Sequence, residues 1–233
     1  MTQIAIEDAW LEPTWYIDSD SPIVAAYAKA QTAGADGQLE QATALFYAVR
    51  DQIRYDPYGI DYVPEAFRAS AVTTDPTNWC VPKSVLFTAS ARSLGIPARL
   101  GFADVRNHLT SAKLSASMGT DMFIWHGYSE MLLPDPAGAD GDLRWFKLST
   151  AFNIDLCDRF GVKPLEFDGT DDALMHPFNQ AGDRHMEYTN QRGSYNDLPL
   201  AEMLADFAVL YGTTFGDLTS AGSAQAAGDD AFA

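Results

Sequence analysis

The residues best suited to chemistry are a cysteine and a histidine set well apart in the chain. Cys80 stands directly after Trp79 in "TNWCVPKSVLFTAS" and opens an apolar run that reads as a helix from Cys80 to Leu94. A space-filling cysteine falls more often in mid-helix. One at a helix N-terminus meets unsatisfied N–H groups worth roughly half a positive charge, which favours the thiolate. Its own backbone N–H points outward there and can serve an oxyanion. Lys83 adds a cation one turn on. From position alone, a nucleophile and a small buried hydrophobe are equally good readings of Cys80. The second cysteine, Cys157 in "NIDLCDRF", has the spacing of a packing residue. A thiolate catalyst needs an imidazole on a rigid element. His126 lies mid-strand in "FIWHGYSEM", an expensive place for a polar ring unless it is paired. Strand alternation puts Tyr128 and Glu130 on its face. His108, His176 and His185 fall in loop-like contexts.

Other chemistries lack their residues. The chain has no G-x-G-x-x-G, no G-x-x-x-x-G-K-[ST], no G-x-S-x-G and no H-E-x-x-H. No second cysteine sits beside Cys80, and the acidic turn around Asp135, Asp140 and Asp142 lacks calcium-loop spacing, so neither a metal nor another cofactor is expected. Of 233 residues, 15 are basic and 32 acidic, a net charge of −17. That balance argues against binding nucleic acid or an anionic membrane surface. The composition, 47% hydrophobic and 12% aromatic, suits a sizeable core. Two cysteines make no disulfide framework, and neither a signal peptide nor an apolar membrane span is evident. A reduced, cytoplasmic setting is the expectation.

The elements that must position these residues follow from periodicity and turn chemistry. Residues 1–20 read as extended, with "PTWYID" a strand or covering arm. Ser21 and Pro22 start a helix that runs to about Gln31. In "QLEQATALFYAVRDQIRY", Leu39, Ala42, Leu45, Phe46, Val49 and Ile53 share one helical face. Asp56 to Asn78 reads as mostly loop. On the Cys80 helix, Val81, Val85, Leu86 and Ala89 face inward, Gly95 suits its C′ position and Pro97 stops it. Strands follow in "ARLGFADV", "MFIWHGYSEMLL" and "LRWFKLST". "PLAEMLADFAVLYG" is a last helix with Leu200, Met203, Leu204, Phe207 and Leu210 on its buried face. Helices followed by neighbouring strands predict one α+β domain over residues 1–215, with a disordered tail at 216–233.

The Cys80 helix closed by "SLGIPARLGF", the His126 strand and "RWFKL" together resemble the transglutaminase-like (transglutaminase core) superfamily, over a core of about residues 40–155. "LEPTWYIDSD", "GFADVRNHL" and "HMEY" are similar to segments of a bacterial subgroup that includes proteins suggested to be cysteine proteases. The resemblance implies a papain-like arrangement, a catalytic cysteine at a helix N-terminus packed against an antiparallel sheet. It also implies amide or peptide hydrolysis, or acyl transfer, through a Cys80 thioester with His126 as acid and base. Trp79 and Cys80 would supply oxyanion N–H groups, Tyr128 and Glu130 would contact substrate, and the partner would be a peptide or protein amide. The family's third residue is an aspartate four positions after the strand tryptophan; counted from Trp145, that position is Ser149. Asn153 and Asp155 lie just beyond it as possible substitutes, with Asp155 better placed to cap the next segment. The missing aspartate leaves a second reading, an inactive module that binds a peptide or protein partner. An ion pair between Cys80 and His126, and an accessible, fast-reacting Cys80 thiol, are the remaining expectations.

Overall fold

The computed structural model describes residues 5–139 and 141–221. The chain opens with a 3-10 turn at Asp8–Trp10, then bends without forming the strand expected at "PTWYID". That arm is held by side-chain bonds instead: Thr14 Oγ1 donates to Asp197, and the Asp18 carboxylate accepts from Arg68 and Ser70. Three helices and two short strands follow: α1 (Pro22–Gln31), α2 (Gly37–Gln52), β1 (Arg54–Tyr55), α3 (Ala69–Val72) and β2 (Thr77–Asn78). The expected face of α2 holds, with Ala42, Leu45, Phe46 and Val49 fully buried. Next come α4 (Cys80–Ser93), β3 (Ala98–Asn107), α5 (Ala112–Met118), β4 (Met122–Pro134) and β5 (Leu143–Leu148). The chain continues through α6 (Ile154–Phe160) and β6 (Met186–Tyr195) to α7 (Leu200–Ala221). The fold is α+β, as expected: one antiparallel sheet in the order β5-β4-β3-β6, with helices against it.

The centre of the molecule is α4. Every residue from Cys80 to Arg92 is buried, because α1, α2 and α3 pack around it and the sheet closes the remaining side. Two cations are taken inside with it. Lys83 Nζ donates to the carbonyls of Arg50, Ile53 and Ala151 at 2.9, 2.6 and 3.0 Å. Arg92 donates to the carbonyls of Ala98, Glu12 and Asn196. Each converts the free energy of a buried charge into ties between segments far apart in sequence. A polar seam also joins α4 to β4, since Ser129 Oγ bonds both the Ser84 carbonyl and Thr88 Oγ1.

Glycine sets how closely α4 and β4 approach. A Cβ on Gly127 would lie 2.9 Å from Ser84 Oγ and 3.1 Å from Val81 Cα. Only a bare Cα lets the first turn of α4 reach this strand. On α7 the buried stripe is Leu200, Met203, Phe207 and Tyr211, whereas Leu210, expected inside, is exposed. A 3.6-residue repeat started at Leu200 selects Tyr211 over its neighbour. The helix is described to Ala221, and the remainder of the expected disordered tail, 222–233, lies outside the described residues. Asp140 of the acidic turn lies outside them as well. No described helix is long and apolar enough to cross a membrane.

Candidate active site

Cys80 and His126 line one largely enclosed cavity of about 40 Å³. α4 brings the thiol to its edge, and the N–H of Gly127, the residue after His126, lies against the sulfur. The N–H groups of Val81 and of Cys80 itself lie there too. They are helix-start donors with no partner one turn back, and Pro82 contributes no donor at all. Trp79 was the expected second oxyanion donor. Its N–H is bonded to Asn78 Oδ1 at 3.1 Å, and the N–H groups at the sulfur are those of Cys80, Val81 and Gly127.

The thiol is not the exposed, activated group expected of it. Cys80 is only 6% exposed, and burial pushes its thiol up to about 11. The surrounding N–H groups and Lys83 pull the other way, and desolvation wins. Cys157 is likewise buried, with its thiol pushed up to about 11. Burial also pushes the His126 imidazole down to about 4, and no carboxylate offsets it. Burial therefore works against the charged form of both groups, and so against the expected ion pair.

His126 is aimed by its backbone. Ala103 pairs with His126 and Val105 with Phe123, so Asp104 faces two residues, a β-bulge immediately before the histidine. Within the bulge, Trp125 takes φ 59°, a left-handed conformation that costs a non-glycine residue about 1–3 kcal/mol. Asp104 holds it there, accepting the Trp125 N–H at 3.1 Å, the Arg192 Nε at 2.5 Å and the Asn190 amide at 3.0 Å. Arg192 lies over the Trp125 ring at 4.5 Å and reaches Asp206, which accepts the indole N–H. Neither Asp104 nor Arg192 stood out in the sequence, because 88 positions separate them.

The distal nitrogen of His126, Nε2, is buried with no hydrogen-bond partner among the described residues, and so is Ser149 Oγ. Ser149 follows β5 on the strand beside His126, where the aspartate would fall, but makes no bond to the ring. Asn153 does not reach the ring either, because its Oδ1 accepts the Tyr55 N–H at 3.0 Å and so fixes β1. Asp155 is exposed in the first turn of α6. Tyr128 and Glu130, expected as substrate contacts, are not among the residues that line the cavity. Tyr128 lies flat on Gly101 with its hydroxyl on Gln191, and Glu130 is buried against Arg99 (2.7 Å) and Ser194 (2.8 Å). Among the described residues no three His, Cys, Asp or Glu gather as a metal site.

Comparison with known proteins gives the family. The model described as the transglutaminase-like superfamily matches residues 25–150, more than half of the chain. No match is found among curated proteins. A crystal structure named as a putative cysteine protease from Cytophaga hutchinsonii is similar at a TM-score of 0.45 and 14% identity. The alignment covers 80% of this chain and 53% of that one, so the present chain spans about half its length.

Proposed function

Since the chain belongs to the transglutaminase-like superfamily, we propose that it is a cysteine-dependent acyl-transfer enzyme, with Cys80 as nucleophile and His126 as acid and base. The observation that carries the reading is the single cavity bordered by the thiol, the imidazole and little else that is polar. The Cys80 sulfur attacks an acyl carbonyl and its proton passes to the His126 imidazole. The developing oxyanion meets the N–H groups of Cys80, Val81 and Gly127. The acyl–leaving-group bond breaks, the leaving group takes the proton from His126, and a thioester remains on Cys80. Water or an amine then attacks the thioester, His126 takes its proton, and the thiol is restored. Water gives an amide or peptide hydrolase, an amine a transferase.

Ser149 favours a second reading. With no carboxylate to hold an imidazolium, the cleft serves only to bind a peptide or protein partner. In either case we take residues 1–215 as one domain, supported by a core cluster that runs from Ile17 to Tyr211. Two free cysteines suit a reducing, cytoplasmic setting.

The test is acylation by p-nitrophenyl acetate at neutral pH, followed by peptide mass spectrometry. The enzyme reading expects an acetyl group on Cys80, none on Cys157, and its later release on adding water or hydroxylamine. Acetylation confined to Cys157 or to surface lysines leaves the binding module as the better account.

A further inference from the structure

The cavity at the thiol says what it would accept. None of its lining residues is charged, and beyond Cys80 and His126 the side chains with a polar atom are Asn107, the tyrosines Tyr55 and Tyr211, and Trp79 with its one indole N–H. Tyr211 Oη is occupied, accepting the Ile124 N–H at 2.9 Å and donating to the Met122 carbonyl at 3.1 Å. Asn107 Oδ1 accepts the Leu109 N–H. The walls opposite the thiol are apolar: Leu114 and Met118 from α5, Phe123 and Ile124 from β4, and Phe207 from α7. The nearby cations are committed elsewhere. Lys83 Nζ is spent on three carbonyls, and Arg192 is paired to Asp104 and Asp206 on the far side of Trp125.

Resting on the reading of Cys80 as nucleophile, we propose that the acyl group it takes up is small, aliphatic and uncharged, seated between α5, α7 and the start of β4. Three physical facts converge on this class. An ionised acyl chain would be buried with no counter-charge, at a cost of several kcal/mol. A second amide group, as in a glutamine side chain or a peptide continuing into the cavity, would lose its water and find few free partners. Size sets the upper limit. A dry cavity of about 150 Å³ holds a benzene, whereas this one offers about 40 Å³, room for an acetyl group and little more. The leaving group stays outside, so its identity is not fixed by these walls.

The step balances without a redox partner: the Cys80 S–H proton passes through His126 to the leaving group as the S–C bond forms and the leaving-group bond breaks.

The experiment compares p-nitrophenyl acetate, butyrate, hydrogen succinate and benzoate, each followed as Cys80 acylation by mass spectrometry with Cys80→Ala as background. Acetyl transfer should exceed succinyl transfer by about a hundredfold or more, and butyryl transfer by a smaller factor, after correction for each ester's reaction with free cysteine. Benzoyl transfer should be slow and should rise about tenfold or more in Met118→Ala, which enlarges the cavity wall. Leu114→Ala is the second such variant and should act in the same direction. Succinyl or benzoyl transfer as fast as acetyl transfer in the wild type would overturn the proposal and leave the nucleophile intact. Failure of every ester to acylate Cys80 above background would overturn the nucleophile and the proposal together.

Discussion

Replacing Lys83 with methionine is expected to destabilise the protein by about 3–5 kcal/mol, because three buried carbonyl acceptors lose their donor at roughly 1–3 kcal/mol each. The side chain is completely buried, and its three N–H groups meet three backbone carbonyls. Burial pushes the amine down to about 7, yet a neutral amine has only two N–H groups to offer, so the three carbonyls hold the ammonium form. Methionine matches the volume and leaves all three acceptors dry. The same change should slow Cys80 acylation, because Lys83 ties the first turn of α4 to Ala151, two residues after Ser149. Urea unfolding checks the first effect. A loss below about 1 kcal/mol, the size of an ordinary net hydrogen bond, would show that the carbonyls find other donors.

The second large effect is acid lability. Burial pushes both His126 and His185 from 6.5 down to about 4. Between those values the unfolded chain binds protons that the folded chain refuses, so stability falls as pH drops from 6.5 towards 4. Each histidine contributes about 3 kcal/mol of that loss. Unfolding free energies measured from pH 7.5 to 4.5 should decline steeply, and His126→Gln should remove about half of the decline. A flat profile down to pH 5 would mean that water reaches both rings. Above pH 9 the sign reverses, since burial holds the two thiols protonated after the unfolded chain has lost those protons.

Much of this architecture is legible in the sequence, and the misses have physical causes. The Cys80 helix ends as expected because Gly95 takes φ 75° there and Pro97 follows. Its pattern of inward residues was less informative, since packing on all sides buries the whole helix. β6 is invisible in "MEYTNQRGSY" because it is an edge strand whose residues are mostly exposed or half-buried, so no alternation marks it. Cys80 and His126 stand out because each sits where its residue type is costly. The contacts of Tyr128, Glu130 and Asn153 with Gly101, Arg99 and Tyr55 are fixed by the sheet and by β1, and local spacing carries no trace of them. The closure of the site escapes sequence reasoning altogether. It depends on α5 and α7 meeting over a thiol that lies far from both in the chain.

That closure frames the chemistry. Burial disfavours the charged forms of both the thiol and the imidazole, so proton transfer between them runs uphill, and a carboxylate at the position of Ser149 would ease it. Here the place holds Ser149, with its hydroxyl and His126 Nε2 both buried and unpartnered among the described residues. The most direct measurement is the pH dependence of Cys80 acetylation in the wild type, in His126→Gln and in Ser149→Asp. A base acting through His126 predicts that His126→Gln slows acetylation at pH 7 by about tenfold or more. It also predicts that Ser149→Asp moves the rising limb to lower pH by about one unit or more. Three superimposed profiles would contradict it, leaving Cys80 a buried thiol that reacts without help.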